Sequence, residues 1–501
     1  MKIKKINVFL PWNLPEYYAL NGFHDLYDFI LEENQYFNFK AIEIKKFYNK
    51  KYLNFFAFLN KFNFSFRFYD KSASVSYLLS KVAAKGCELN FLHTSLIFAG
   101  ESKPFIFHLE DFQSIFLHRD ILPVFNKDVN LQKIFEQNNC LAIISHIPET
   151  LQSFRNYFNS PVINSKLHYS RIAISNNFIK SAKKLKISKQ KSSETVFLFT
   201  SSGHQNTNNY VTRGFKVVIN LAKKLIESGY KVKFIFKCIK LDRSAFLDLG
   251  LNDEQIDFIY NCSAIVWYEE YLSDDEMSVL YKMSDFFLLP SAQLHSMSIL
   301  KSMYSESIPI VTDTVGTNQY VSHLKNGIVL NGVRKAVFQD NIFLLKPNIE
   351  NYLFLENSLT EQLFSNLVKI IDKKDVIEKM KSEAKETVIR NFNPKDNEEE
   401  LLHHILMEYN KKVSRKSRKK NKIFKKLVNR YILSSDFSRY KQIICQKVFE
   451  WENIIVFKHH SYYYVNDSKK NRFSVCDLTK FSKPYKDIFE VNKELRRRLF
   501  K

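Results

Sequence analysis

A chain of 501 residues is too long for one ordinary hydrophobic core, so two domains plus an extension are expected. With 45% hydrophobic and 15% aromatic residues there is ample material for burial, which excludes a wholly disordered protein. The net charge of +23 is localised: residues 411–501 hold 26 Lys/Arg against 8 Asp/Glu, a net of +18, whereas residues 1–410 hold 49 against 44, a net of +5, so any partner drawn by basic charge meets the tail.

The N-terminal residues 1–14 include Lys2, Lys4 and Lys5, but their apolar run stops at Pro11, too early for a signal-peptide core. No stretch approaches the roughly 20 apolar residues that span a bilayer. Cys87, Cys140, Cys238, Cys262, Cys445 and Cys476 form none of the close pairs of a zinc site or redox dithiol, and read as reduced thiols. A cytoplasmic protein, soluble or peripherally attached to the membrane, is expected.

Residues 3–10 and 104–108 read as short apolar strands, and residues 141–145 as another, followed by a polar helix from near Pro148. Strands alternating with helices predict a parallel, doubly wound α/β sheet. The Lys- and Ser-rich segment Lys180 to Glu194 reads as an interdomain linker. Beyond it, Val196 to Thr200 is a buried strand, Ser201 to Thr212 a polar loop, and Gly214 to Ser228 an amphipathic helix with Val218, Leu221, Ala222 and Leu225 on one face. Gly229 closes that helix, and Val232, Phe234 and Phe236 alternate in the next strand, completing a βαβ unit.

In the following unit, Ser273 and Glu276 form a capping box for a helix through Met277, Leu280 and Tyr281. Phe286 to Leu289 is a strand ending at Pro290, and a helix through Ile299, Leu300 and Met303 leads to the strand Ile308 to Val311. Residues 355–411 read mainly as helices, including Glu398 to Tyr409. Lys411 to Arg430 carries eleven Lys/Arg and no acid, and the last seventy residues carry no assignable fold.

The run Leu272 to Gly332 resembles the C-terminal domain of the family 4 retaining glycosyltransferases. Its capped helix, strand ending in Pro-Ser, loop and helix, strand after Pro and Gly-containing turns follow in the family's order. The resemblance is firm over 195–335, extends to 410 and, more weakly, over 85–180, and does not reach the tail. It implies a GT-B fold, with two Rossmann-like domains facing a cleft: an acceptor-side domain at 1–185, a nucleotide-sugar domain at 190–390, a helix returning to the first domain at 391–410, and a basic extension at 411–501. Asn391-Phe392-Asn393 resembles the start of that return.

The family motif carries two glutamates eight apart, one near the sugar and one holding the ribose hydroxyls. Matching Ile299 to Met303 to the family's Leu-Leu-Glu-Ala-Met places them at Gln293 and Lys301; anchoring on Pro290-Ser291 and Pro309 places them at Leu294 and Ser302. Neither register yields an acid. Gln293 keeps an acceptor oxygen, whereas Lys301 offers only donors, and reads either as a lost ligand or as a residue pairing with phosphate directly.

A nucleotide sugar brings a diphosphate, whose departure calls for positive charge or convergent amides. Arg213-Gly214 resembles the family's basic residue and glycine at the first helix of this domain; the plain alternative is a solvated helix-start arginine. Lys237 and Lys240 follow the next strand and read as diphosphate contacts or as solvated lysines. The amides of Ser296, Met297 and Ser298 open a helix, an anion site or an ordinary cap. In the first domain, Leu92-His93 and Phe105-Ile106-Phe107-His108 look like the family's two histidine-bearing strand ends. His108 is the catalytic-side candidate, near the transferred sugar, and otherwise a structural histidine. Asp111 follows as its orienting partner or a helix cap. His93, His118 and His204 rank below it.

No Asp-x-Asp motif stands ready for a divalent metal, so metal-independent transfer without a cofactor is expected. The resemblance implies retaining transfer drawn as front-face attack guided by the donor phosphate, for which no protein nucleophile is named. For Lys411 to Arg430, interleaved with Ile423, Phe424, Leu427 and Val428, the bland reading is solvated charge. An anionic inner leaflet is the functional one, at roughly 1 kcal/mol per basic residue; it would set the enzyme beside a glycan or lipid-linked acceptor. Nucleic acid is the competing partner, without a recognised binding module to support it.

Overall fold

The computed structural model describes residues 5–10, 36–40, 86–93, 103–110, 112, 129–184, 194–201, 208–270, 272–338, 349–393, 405, 407–409, 446–451, 454–459, 462–467 and 472–477. The first domain is built on β1 (Ile6–Phe9), β2 (Phe37–Lys40), β3 (Leu89–His93), β4 (Phe105–His108), β5 (Cys140–Ser145) and β6 (Leu167–Tyr169), in spatial order β2-β1-β3-β4-β5-β6. Every neighbouring pair is parallel. Strands apolar on both faces suit such a sheet, which needs cover on each side, and every residue of β4 and β5 is buried.

On one side lie α1 (Val129–Glu136), α2 (Pro148–Phe158) and α3 (Pro161–Asn164). Phe107, Phe112, Phe135, Phe154 and Phe158 pack there with ring centroids 5.0–5.7 Å apart, mostly edge to face. The other side holds Val8, Leu89, Phe91, Ile106 and Ile144, and a late residue, Ile405, is wholly buried among them with Tyr409 alongside.

The next helix, α4 (Asn176–Lys184), departs from expectation. The proposed linker was to begin at Lys180, yet the helix runs on through Lys184 and sets Phe178 against Tyr281 and Tyr304 of the second domain. The lysine-rich stretch is the solvated face of a helix whose single buried residue, Phe178, belongs to the other core. The rest of the proposed linker, 185–193, lies outside the described residues.

The second domain contains β7 (Thr195–Thr200), β8 (Val232–Lys237), β9 (Ile265–Trp267), β10 (Phe286–Leu289), β11 (Ile308–Thr312) and β12 (Ile328–Leu330), in order β12-β11-β10-β7-β8-β9 and parallel throughout. Its helices are α5 (Asn208–Thr212), α6 (Phe215–Glu227), α7 (Arg243–Asp248), α8 (Asp253–Asn261), α9 (Asp274–Met283), α10 (Ser296–Tyr304), α11 (Val333–Phe338), α12 (Ile349–Val368) and α13 (Lys374–Asn391). Phe197, Phe234 and Phe286 face α6 and α12, whereas Leu198, Ile235 and Leu289 face α4, α9, α10 and α13. Each Val, Leu, Ile or Phe so buried contributes about 1.5–3 kcal/mol. The capping box at Ser273 is formed, Glu276 Oε2 accepting from the Ser273 amide at 2.7 Å. A buried ion pair, Lys381 to Asp285 at 2.8 Å, ties α13 to the start of β10, and the same carboxylate accepts from the Val196 amide at 2.9 Å.

Two further expectations change. The polar loop after β7 ends in the short helix α5, because Tyr210 is fully buried and donates to the Ile239 carbonyl, fixing this segment. The tail is not without regular structure: β13 (Gln446–Trp451), β14 (Ile454–His459), β15 (Tyr462–Asp467) and β16 (Arg472–Asp477) form an antiparallel four-stranded meander. Asp111, His118, His204 and Lys411 to Arg430 lie outside the described residues. Among the described residues, no helix is long and apolar enough to cross a membrane.

Candidate functional site

In the second sheet the order reverses between β7 and β10, since β8 follows β7 to one side and β11 follows β10 to the other. The crevice beyond the carboxyl ends of two such strands is where open α/β sheets take ligands. The end of β10 is pinned there. Ser291 Oγ and the Ala292 amide both donate to the Thr212 carbonyl, at 2.8 and 2.7 Å, so α5 and the end of β10 are clamped together. Arg213 is the next residue, and the clamp delivers it to the switch point.

The Arg213 guanidinium donates to the Thr200 carbonyl at 3.1 Å, where β7 ends, and lies 3.4 Å from His295 Nδ1. None of these partners is a carboxylate. Burial draws its pKa down to about 10, which still leaves it charged at neutral pH. Gly214 serves a different purpose from ligand binding by its amide, which donates to the Val211 carbonyl at 3.0 Å. Its φ is +78°, and a Cβ there would sit 2.2 Å from the Pro290 carbonyl and 2.5 Å from the Tyr352 hydroxyl. The glycine lets α6 approach the end of β10.

Lys237 is the last residue of β8, paired in register with Thr200, and only 6% exposed. Among the described residues no carboxylate or hydrogen-bond acceptor reaches its ammonium, and burial lowers its pKa. Leu198 and Ile235, two positions earlier, face the cluster that contains α10. By the two-residue period of a strand, Thr200 and Lys237 point to that side as well. Lys240 is placed elsewhere, with its ammonium 4.3 Å from the Tyr260 ring centroid.

Residues 293–301 divide between the crevice and the core. The Gln293 amide is held by Ser291 Oγ at 3.1 Å. Ser296, Met297 and Ser298 form the first turn of α10, ahead of the Ile299 amide that begins its ladder to the His295 carbonyl, so their amides open towards the crevice. Ser296 is buried beside Tyr320, and Met297 packs into the core. Lys301 faces away: its ammonium lies 3.3 Å from Asp274 and 4.9 Å from the Phe178 ring centroid. In the other register Ser302 is fully buried and donates to the Ile299 carbonyl of its own helix.

His295, which pattern reading passed over, is the residue α10 grows from. Burial and then the neighbouring Arg213 charge hold its pKa well below the usual histidine value, while Glu110 of the first domain pulls the other way. Its one sequence signal is its position, directly before a helix that follows a strand end.

The first domain contributes the ends of β3 and β4, where His93 and His108 stand in register. His108 is 1% exposed and stacks on Phe91 and on His146, the residue after β5, with centroids 6.1 and 5.7 Å away. His146 lies 3.8 Å from Glu110. The two domains meet beside these groups: Tyr169 donates to Gln319 at 2.9 Å, Arg334 pairs with Glu149 at 3.3 Å, and Gly316 approaches Ile147. His146 and Glu110, like His295, sit just past strand ends without a motif to mark them.

Arg213 is half-buried and Lys237 buried, and among the described residues neither meets a carboxylate, so each gives up part of its hydration without a counter-charge. Such a set of donors, with the opening amides of α10 added, has the chemistry that suits an anion. No family model matches the chain, and no curated protein matches it significantly in sequence. Among solved structures, the chain is similar to a glycosyltransferase from Rickettsia africae ESF-5, at 13% identity over 82% of this chain and 99% of that chain, with a TM-score of 0.48. It is similar to sucrose-phosphate synthase from Thermosynechococcus elongatus at 9% identity over 81% and 99%, with a TM-score of 0.49. HepE from Anabaena, in complex with UDP-glucose, is similar at 11% identity over 66% and 82%, with a TM-score of 0.44. These are likenesses in the course of the backbone.

Proposed function

We propose that this chain is a GT-B glycosyltransferase that moves a sugar, with retention, from a nucleotide-sugar donor to a glycan or lipid-linked acceptor in cell-surface polysaccharide or glycoconjugate synthesis. The observation that carries this reading is the pair of cations at the strand-order reversal of the second sheet, half-buried Arg213 and buried Lys237, which among the described residues meet no carboxylate. As the glycosidic bond breaks, negative charge grows on the departing diphosphate. Cations already in place stabilise that charge without reorganising. The first domain would present the acceptor from the side of His108, His146 and Glu110. Residues 411–430 would hold the protein against an anionic inner leaflet on the cytoplasmic side. No metal or cofactor is invoked in this scheme.

Incubating the purified chain with a panel of nucleotide sugars that includes UDP-glucose should release free nucleotide or elongate an acceptor. Silence with every donor, together with no donor-induced rise in melting temperature, would sink the proposal. The engagement of Lys301 with Asp274, and the lack of an acid at either register of the motif, favour a second reading, a noncatalytic partner subunit. That reading predicts donor binding without turnover, and sugar transfer by the chain alone rules it out.

A further inference from the structure

We propose that His295 is a fixed, uncharged hydrogen-bond donor to a non-bridging oxygen of the bound diphosphate. The inference rests on the donor-site reading above but adds a residue and a role that the charges of Arg213 and Lys237 do not supply. An arginine has only N–H donors, so at 3.4 Å from His295 Nδ1 it can only donate to that nitrogen. Nδ1 is therefore the acceptor, and the ring proton is carried by Nε2. That atom is buried and, among the described residues, makes no hydrogen bond. A buried N–H left unmade costs about 1–3 kcal/mol, which a ligand's acceptor recovers on binding.

The company His295 keeps selects the acceptor. Beside it stand the Arg213 guanidinium and the opening amides of α10, with the Lys237 ammonium on the same side of the sheet, while the Glu110 carboxylate of the first domain acts on the ring from across. The second domain's own contribution is a set of donors. A phosphate oxygen, which only accepts, satisfies such a set, whereas a sugar hydroxyl would bring a further donor of its own. Burial and the Arg213 charge keep the ring neutral across the physiological range, so the bond would be made without proton transfer.

The test compares His295→Met with His295→Gln, two side chains of similar length, the second keeping an N–H donor. Affinity is titrated calorimetrically with inorganic pyrophosphate, a series of nucleoside diphosphates and the matching nucleotide sugars. The Met variant is expected to bind pyrophosphate about tenfold to a hundredfold more weakly than wild type, and the Gln variant to recover most of that loss. Nitrogen-15 spectra of histidine-labelled wild type should show the Nε2–H tautomer at His295, shifted on adding pyrophosphate, which keeps the question answerable if the Met variant does not fold. If Arg213→Met abolishes pyrophosphate binding while His295→Met leaves it intact, the donor site stands and the role of His295 falls. Weakened nucleotide-sugar binding with unchanged pyrophosphate binding, or an Nδ1–H tautomer, also overturns it. A wild-type protein that binds neither pyrophosphate nor any nucleoside diphosphate overturns both this inference and the reading beneath it.

Discussion

Lys237 separates function from stability within one side chain. Its side chain is buried and, among the described residues, its ammonium meets no acceptor, so the folded protein carries a desolvation cost that a bound anion would relieve. Lys237→Met keeps the length and removes the charge. The variant should melt higher than wild type without ligand, gaining about 1 kcal/mol, and should lose most of the melting-temperature rise produced by nucleoside diphosphates. A variant that is less stable in both conditions would mean that Lys237 holds the fold rather than a ligand. His295 carries a pH signature in the same assay. Its folded pKa lies below the unfolded value of 6.5, so between the two the unfolded chain binds the proton and the folded chain does not. Its contribution is therefore whole above 6.5 and is lost as pH falls through that window. The drop in melting temperature from pH 7.5 to 5.5 should be smaller in His295→Gln than in wild type, and an equal drop would mean that the ring is already protonated or freely exposed in the fold.

Between elements, the critical contact is the one α6 makes with the end of β10 through Gly214. A methyl group at that point meets the Pro290 carbonyl at 2.2 Å, and the positive φ strains any other residue. Gly214→Ala should cost about 2–4 kcal/mol in denaturant unfolding and should blunt nucleotide binding by moving Pro290-Ser291 away from Thr212. An unchanged midpoint would show that the approach is looser than the distances say. The elements themselves were legible where one physical signal dominated. Phe286 to Leu289 and Leu141 to Ser145 are apolar runs that only a doubly covered sheet can bury, and Ser273 with Glu276 is a cap with a single geometry. Helices α4 and α5 were missed because their local composition, rich in lysine or in asparagine and threonine, argues for loops. Phe178 and Tyr210 override it by filling cores formed from distant strands, which no window of neighbouring residues contains.

For the whole molecule, the same distinction governs what could be read of the site. Arg213 could be singled out by its resemblance to the family's basic residue and Lys237 by its place at a strand end, whereas the outward turn of Lys301 to Asp274 depends on which side of α10 meets α4 and α9. His295 needed Arg213 beside it to acquire meaning, a neighbour 82 residues away. Ile405, which follows the second domain in the chain, fills the core of the first among Val8, Leu89, Phe91 and Ile106. This makes the first domain's stability depend on a residue that follows the second. Ile405→Asp places a charge in that core and removes its apolar filling, at a cost of about 3–5 kcal/mol. Hydrogen exchange should then show protection falling in β1, β3 and β4 while β7, β8 and β10 keep theirs, and nucleoside diphosphate should still protect the second sheet. Equal loss in both sheets would mean that the two domains unfold as one cooperative body, in which case the seam through Tyr169, Gln319, Glu149 and Arg334 is strong enough to bind them and the donor site cannot be stable apart from the acceptor side.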